Sequence, residues 1–153
     1  MKLFSTLLIV AALFGCAARI QAQTEEKAPD YKIAKIKVTP FDSKTGKFGD
    51  ELTGGDSESF FNDLSISLLV LIEIDGEAGS FETGRKINVK VTEGTRVKET
   101  VNNQIGLIGE GGKWYEAVWL SPAMCNEITI TASITGQKPG KAMTRKVSFM
   151  CGE

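Results

Sequence analysis

The sequence contains no histidine. That excludes the Ser-His-Asp and Cys-His nucleophile systems, histidine-ligated zinc and the usual near-neutral proton shuttle. An excess of either charge is also missing. There are 18 Lys and Arg against 19 Asp and Glu, a formal net charge of -1. A general nucleic-acid binder would carry a clustered basic excess, so that class is set aside. No apolar run reaches the roughly 20 residues that a membrane-spanning helix requires. The 3 cysteines contain no Cys-x-x-Cys pair, which argues against a thiol redox centre. There is no Gly-x-Ser-x-Gly elbow and no Asn-x-Ser/Thr sequon, and neither internal repeats nor low-complexity tracts occur.

What is present is ordinary globular material. Of 153 residues, 42% are hydrophobic and 24% charged, which suits one domain with a genuine core.

The N-terminus reads as an export signal. Lys2 supplies a positive start, and the segment from Leu3 to Phe14 is apolar apart from Ser5 and Thr6, the length of a signal-peptide core. Two processing sites compete. Ile20-Gln21-Ala22 fits cleavage before Gln23, giving a secreted or periplasmic chain. Leu13-Phe14-Gly15-Cys16 resembles a bacterial lipobox, whose Cys16 would be acylated as a membrane anchor. Phe14 is larger than that motif usually carries, which favours plain secretion. The expected organisation is a signal peptide over 1–22 (or 1–15 for a lipoprotein), a short polar tether over 23–30 and one domain over 31–153.

Cys125 and Cys151 remain after either cleavage, and in an oxidising compartment they are expected to form a disulfide. Gly136-Gln137-Lys138-Pro139-Gly140-Lys141 is turn chemistry between two alternating runs. A hairpin centred near Lys138 would set the two cysteines opposite each other at its open end.

The mature chain reads as strands. Ala34, Ile36 and Val38 alternate with Lys35 and Lys37, and a period of two runs through Leu64, Ile66, Leu68, Val70, Ile72 and Ile74. Leu69 and Leu71 make the second strand apolar on its other face too, so its middle is expected to be covered on both sides and central in its sheet. A helix over Phe60 to Ile74 is the rival reading; the β-branched residues and strict alternation favour the strand. Ile87, Val89 and Val91 alternate in the same way. Further strands are expected over Thr95 to Val101, Gln104 to Gly109, Trp114 to Leu120, Glu127 to Thr135 and Ala142 to Cys151. About seven or eight short strands between turn signals imply an all-β chain. The expected fold is a single antiparallel β-sandwich of immunoglobulin-like type, with a small β-barrel as the alternative.

Three segments carry candidate chemistry. Between Lys47 and Arg85 lie nine acids and no base: Asp50, Glu51, Asp56, Glu58, Asp63, Glu73, Asp75, Glu77 and Glu82. Several fall in a Gly- and Ser-rich loop from about Asp42 to Asp63. The oxygens of Asp50, Asp56, Glu58 and Asp63 are candidate Ca²⁺ ligands, although no EF-hand spacing is present; the plainer reading is a solvated acidic loop, and no other cofactor is implied. The same acids would supply the carboxylate pair of a glycosidase, a reading that rests on a separation spacing does not give. Lys138, Lys141, Arg145 and Lys146 flank the last turn and suit an acidic partner, a headgroup or plain solvation.

The third segment is Gly109-Glu110-Gly111-Gly112-Lys113-Trp114-Tyr115. On a strand, Trp114 takes one face while Tyr115, Ala117 and Trp119 share the other. One face fills the core; the other would present aromatics to a sugar or a protein. Trp114, Tyr115, Trp119, Gly111 and Gly112 are therefore the candidate binding residues. The Gly-x-Gly-Gly loop before a strand resembles that of the chagasin-type cysteine-protease inhibitors, which are exported immunoglobulin-like domains. The resemblance implies an inhibitor module, but it covers four residues, and the Asn-Pro-Thr-Thr-Gly and Arg-Pro-Trp loops of that family have no counterpart here. Gly55-Asp56-Ser57 resembles the opening of a Gly-Asp-Ser esterase block, whose catalytic histidine this chain lacks.

The functional expectation is an exported, non-catalytic sandwich domain binding a protein or glycan of the envelope or extracellular space. It has no nucleic-acid partner, and a membrane contact only through a lipid anchor. A ligand or protease-inhibitor module, with or without Ca²⁺, is the alternative.

Overall fold

A computed structural model describes residues 28–53, 59–61, 64–122 and 125–150, with the backbone alone for 59–61 and 150. The export signal, Cys16, Asp56, Glu58, Asp63 and Cys151 lie outside the described residues.

Nine strands follow in order: β1 (Lys32–Asp42), β2 (Lys47–Phe48), β3 (Ser59–Phe61), β4 (Ile66–Asp75), β5 (Lys86–Glu93), β6 (Arg96–Gln104), β7 (Lys113–Leu120), β8 (Ile128–Thr135) and β9 (Met143–Met150). They form a four-stranded sheet, β2-β1-β4-β7, and a five-stranded sheet, β3-β9-β8-β5-β6. All pairings are antiparallel except that of β3 with β9. The chain changes sheet at every connection except β1–β2, β5–β6 and β8–β9, and the two sheets form a β-sandwich. No helix occurs among the described residues.

The alternating apolar residues explain this packing. Val38, Leu68, Val70, Ile72 and Ile74 point inward from the first sheet and meet Ile87, Val89, Val91, Ile128, Ile130 and Ala132 of the second. Burying each of these Val, Leu and Ile side chains contributes roughly 1.5–3 kcal/mol before entropy is counted. β4 lies between β1 and β7, the central position its apolar middle demands. Expectation and structure part at its outer face, however. Leu69 and Leu71 are half-buried by neighbouring side chains of their own sheet, and no second layer lies over them among the described residues.

Two other expectations shift. The segment from Ile105 to Gly112 is a loop, yet Ile105 and Ile108 are completely buried. Backbone bonds fix it: Ile105 N–H donates to Arg85 C=O at 2.8 Å and Ile108 N–H to Ser80 C=O at 2.9 Å. The apolar residues there fill the end of the core without pairing. The β8–β9 ladder runs from Ala132 with Met143 to Ile128 with Val147, one residue away from the register that opposes Cys125 to Cys151. Residues 125–127 precede β8, so the ladder does not constrain the cysteine.

The β1 edge is closed piece by piece, because β2 covers only Phe41 and Asp42. Leu52 N–H donates to Val38 C=O and Gly49 N–H to Pro40 C=O, both at 2.9 Å. Arg145 donates to Ile36 C=O. At the strand start, Gln137 accepts from Tyr31 N–H at 3.0 Å and donates to Tyr31 C=O at 2.6 Å.

Candidate functional site

The outer face of β2-β1-β4-β7 carries the most distinctive surface among the described residues. A register shift between Ile33 and Lys35 sets the parity of β1, so Ile36, Val38 and Pro40 turn inward while Lys37, Thr39 and Phe41 turn outward. The hairpin to β2 is built by Asp42. Its carboxylate accepts from Lys44 N–H at 2.8 Å and Thr45 Oγ1 at 2.9 Å, and its C=O accepts from Gly46 N–H at 2.8 Å. Gly46 closes the turn at φ 68°, where glycine carries no Cβ penalty. That turn places Phe48 beside Phe41.

Across the sheet, Leu69 of β4 opposes Trp119 of β7, and Thr39 opposes Leu69 from the other side. Three rings then meet. Phe41 lies 5.0 Å from Phe48 and 5.4 Å from Trp119, tilted by 56° and 59°, while Phe48 and Trp119 meet edge-on at 6.3 Å. Phe48 is 55% exposed and Trp119 46%. Leu71 and Ala117, also opposed, continue the apolar strip toward Tyr115.

The other half of this face is charged. Glu73 lies between Lys113, which donates to it, and Lys37 at 3.2 Å. Lys113 also reaches Asp75 at 3.3 Å, and Lys37 sits 5.9 Å from the Tyr115 ring. The Lys113 and Lys37 hydrogen bonds hold the Glu73 carboxyl below the ordinary 4.5, and the same Glu73 bond raises the Lys113 ammonium above 10.5. Glu51 accepts from Lys35 and pairs with Arg145 at 3.5 Å, which lowers its carboxyl too. The face thus divides into a strip of aromatic and aliphatic side chains and a half of paired charges.

The candidate residues separate accordingly. Tyr115 and Trp119 face outward on the strip. Trp114 faces inward, packs against the core and lies over Gly106. Gly111 and Gly112 belong to a tight turn at the opposite end of β7 from Trp119. Gly112 N–H donates to Gly109 C=O at 2.9 Å and Gly76 N–H to Gly112 C=O at 3.0 Å. Phe41 and Phe48 were not among the expected residues, although the Phe-Asp…Gly-Lys-Phe hairpin signature around residues 41–48 identifies them. The basic group breaks up, since Arg145 is bound to β1 and Glu51, and Lys146 pairs with Glu127 at 2.9 Å.

Among the described acids, Asp50 and its neighbours form no cluster of three groups able to hold a metal ion. A groove between the start of β1 and the β8–β9 turn is lined by Tyr31, Ile33, Ile134, Gln137, Lys141 and Met143. A smaller cleft beside Trp119 is lined by Lys98, Glu99 and Leu120. No helix among the described residues is long and apolar enough to cross a membrane. No protein-family model matches the chain, and no curated protein matches it.

Proposed function

We propose that this is an exported, non-catalytic binding domain that holds a protein partner on the outer face of β2-β1-β4-β7. The observation that supports it best is the exposed Phe41–Phe48–Trp119 cluster, continued by Leu69, Leu71 and Ala117 and bordered by the Lys37–Glu73–Lys113 network. Exposed aromatics of this kind are the side chains that dominate protein contacts. A glycan is the second reading, carried by the exposed Trp119. The ring geometry favours protein, because the tilted and edge-on rings leave no two parallel faces on which a sugar chain could stack.

The domain acts outside the cytoplasm, secreted or periplasmic after cleavage before Gln23, or anchored through acylated Cys16. It works without a cofactor, without nucleic acid and with Cys125 and Cys151 joined. A photo-crosslinking residue in place of Phe48, introduced in the native cells, is expected to trap a discrete protein. The same residue in place of exposed Lys90 on the other sheet is expected not to. Equal trapping at both positions overturns the reading. Binding to a glycan panel that is lost in Trp119→Ala replaces it with the glycan alternative.

A further inference from the structure

The edges of this sandwich are treated unequally. The β1 edge is closed by Leu52, Gly49, Arg145 and Gln137. β6 is guarded by the charges of Arg96, Lys98 and Glu99. Among the described residues β7 is a ladder partner of β4 alone, and on its other side Gly109 N–H closes just the first residue, donating to Lys113 C=O at 3.0 Å. It is eight residues long, contains no proline, and between Lys113 and Leu120 carries one charge, Glu116. That charge is turned inward, is 6% exposed and accepts from Asn103 Nδ2 at 2.7 Å. Further pairing would add little desolvation. A long, alternating edge with so little charge is a template for another strand.

We propose that β7 pairs antiparallel with β7 of a second copy, about a two-fold axis through Ala117, joining the two four-stranded sheets into one. The sequence of β7 is self-complementary about that point. Ala117 would face its own copy, and Tyr115 and Trp119 would each face the other's counterpart on the outer surface. Inside, Trp114 would face Leu120 and Glu116 would face Val118. An axis through Glu116 instead opposes two carboxylates, and one through Val118 separates the aromatics. Aromatic pairs directly across strands stabilise a sheet, and like charges directly opposed weaken it. The second sheet agrees with this axis. Asn103 of β6 lies against Glu116, one residue from the axis, so the uncharged Val101–Gln104 end of β6 is nearest to it, while Lys98 and Glu99 lie farther out beside Trp119 and Leu120. A two-fold contact of this kind is closed and produces a dimer rather than a fibre. The proposal shares Ala117 and Trp119 with the partner surface but needs neither Phe41 nor Phe48, so position 48 separates the two readings.

The test is sedimentation equilibrium of the full chain as its own cells process it, with three variants. The expected result is a mass of two chains that falls toward one on dilution. Ala117→Lys, on an exposed position, is expected to weaken association at least tenfold, because two ammonium groups would meet at the axis. Ala117→Cys is expected to give a covalent dimer on mild oxidation, with the digest showing the introduced thiol of one copy joined to that of the other. Tyr115→Cys is expected to give far less, its opposite residue being Trp119. A single-chain mass at every concentration, equal cross-linking at 115 and 117, or pairing of β7 with a strand of a different protein overturns the proposal. Loss of trapping at position 48 with the dimer intact would remove the partner reading alone.

Discussion

Asn103 Nδ2 donates to Glu116 Oε1 at 2.7 Å, linking the edge strands β6 and β7 across the gap between the sheets. Glu116 is the one carboxylate buried on the inward side of β7. Asn103→Ala removes this donor and leaves a charged acceptor without compensation. The expected loss is about 1–3 kcal/mol, read as a lower urea midpoint with an unchanged slope. Glu116→Gln, which keeps the shape and one acceptor, is expected to lose less. Equal stability of Asn103→Ala and the parent would show that the bond contributes nothing.

Gly76 marks a second tight place. A Cβ there would lie 2.8 Å from the Tyr31 ring and 3.0 Å from Ile108. Both side chains are buried, so neither can move aside freely. Gly76→Ala is expected to destabilise the fold by roughly 1–3 kcal/mol through overpacking. Gly111→Ala, where a Cβ meets nothing within 4 Å, is the control expected to change stability little. Similar melting temperatures for the two variants would contradict this account.

The acidic side of the stability profile follows from three carboxyls. Lys35 and Arg145 lower Glu51, and Lys113 and Lys37 lower Glu73. Burial pushes Glu93 up, but the N–H groups of Cys125 and Asn126 together with Lys98 outweigh it. A carboxyl whose folded value is depressed adds stability in full above its unfolded value, and that part is lost as pH falls through the folded value. The melting temperature is therefore expected to decline as pH drops below about 4.5. Glu73→Gln is expected to make that decline shallower. An identical profile in the variant would remove Glu73 from the explanation.

Much of this architecture can be read directly from period-two alternation. Ile36 and Val38 of β1, Leu68 to Ile74 of β4 and Ile87 to Val91 of β5 take the faces their spacing assigns, since each strand can bury only one parity in the core. Ile105 and Ile108 show where the rule ends: apolar residues in a loop closing the core look like a strand in sequence. The outer face of β4 misleads for a related reason. Leu69 and Leu71 are apolar because they lie in a surface strip beside Trp119, and sequence does not distinguish that from burial under a second layer. Tyr115 and Trp119 were legible from parity within one strand. Their association with Phe41 and Phe48 depends on β1 pairing with β4 across the intervening loop, a long-range register that local spacing does not encode.

Cys125 offers the last prediction. Its N–H donates to Glu93 Oε1 at 3.0 Å, and Asn126 N–H donates to the same oxygen at 3.2 Å. Glu93 thus fixes the backbone that carries the cysteine into β8, and the Glu93 side chain is itself only 12% exposed. A disulfide to Cys151 would close the loop that contains the whole β8–β9 hairpin. It would contribute on the order of 3 kcal/mol, chiefly by restricting the unfolded chain. The expected observation is that neither thiol alkylates in the native protein until a reductant is added, after which the melting temperature falls. Glu93→Gln is expected to lower the melting temperature while leaving the bond intact, because it loosens the segment without touching sulfur. Immediate alkylation of Cys125 and Cys151 without reductant would rule the bond out, leaving the Glu93 contacts as the tether of this segment.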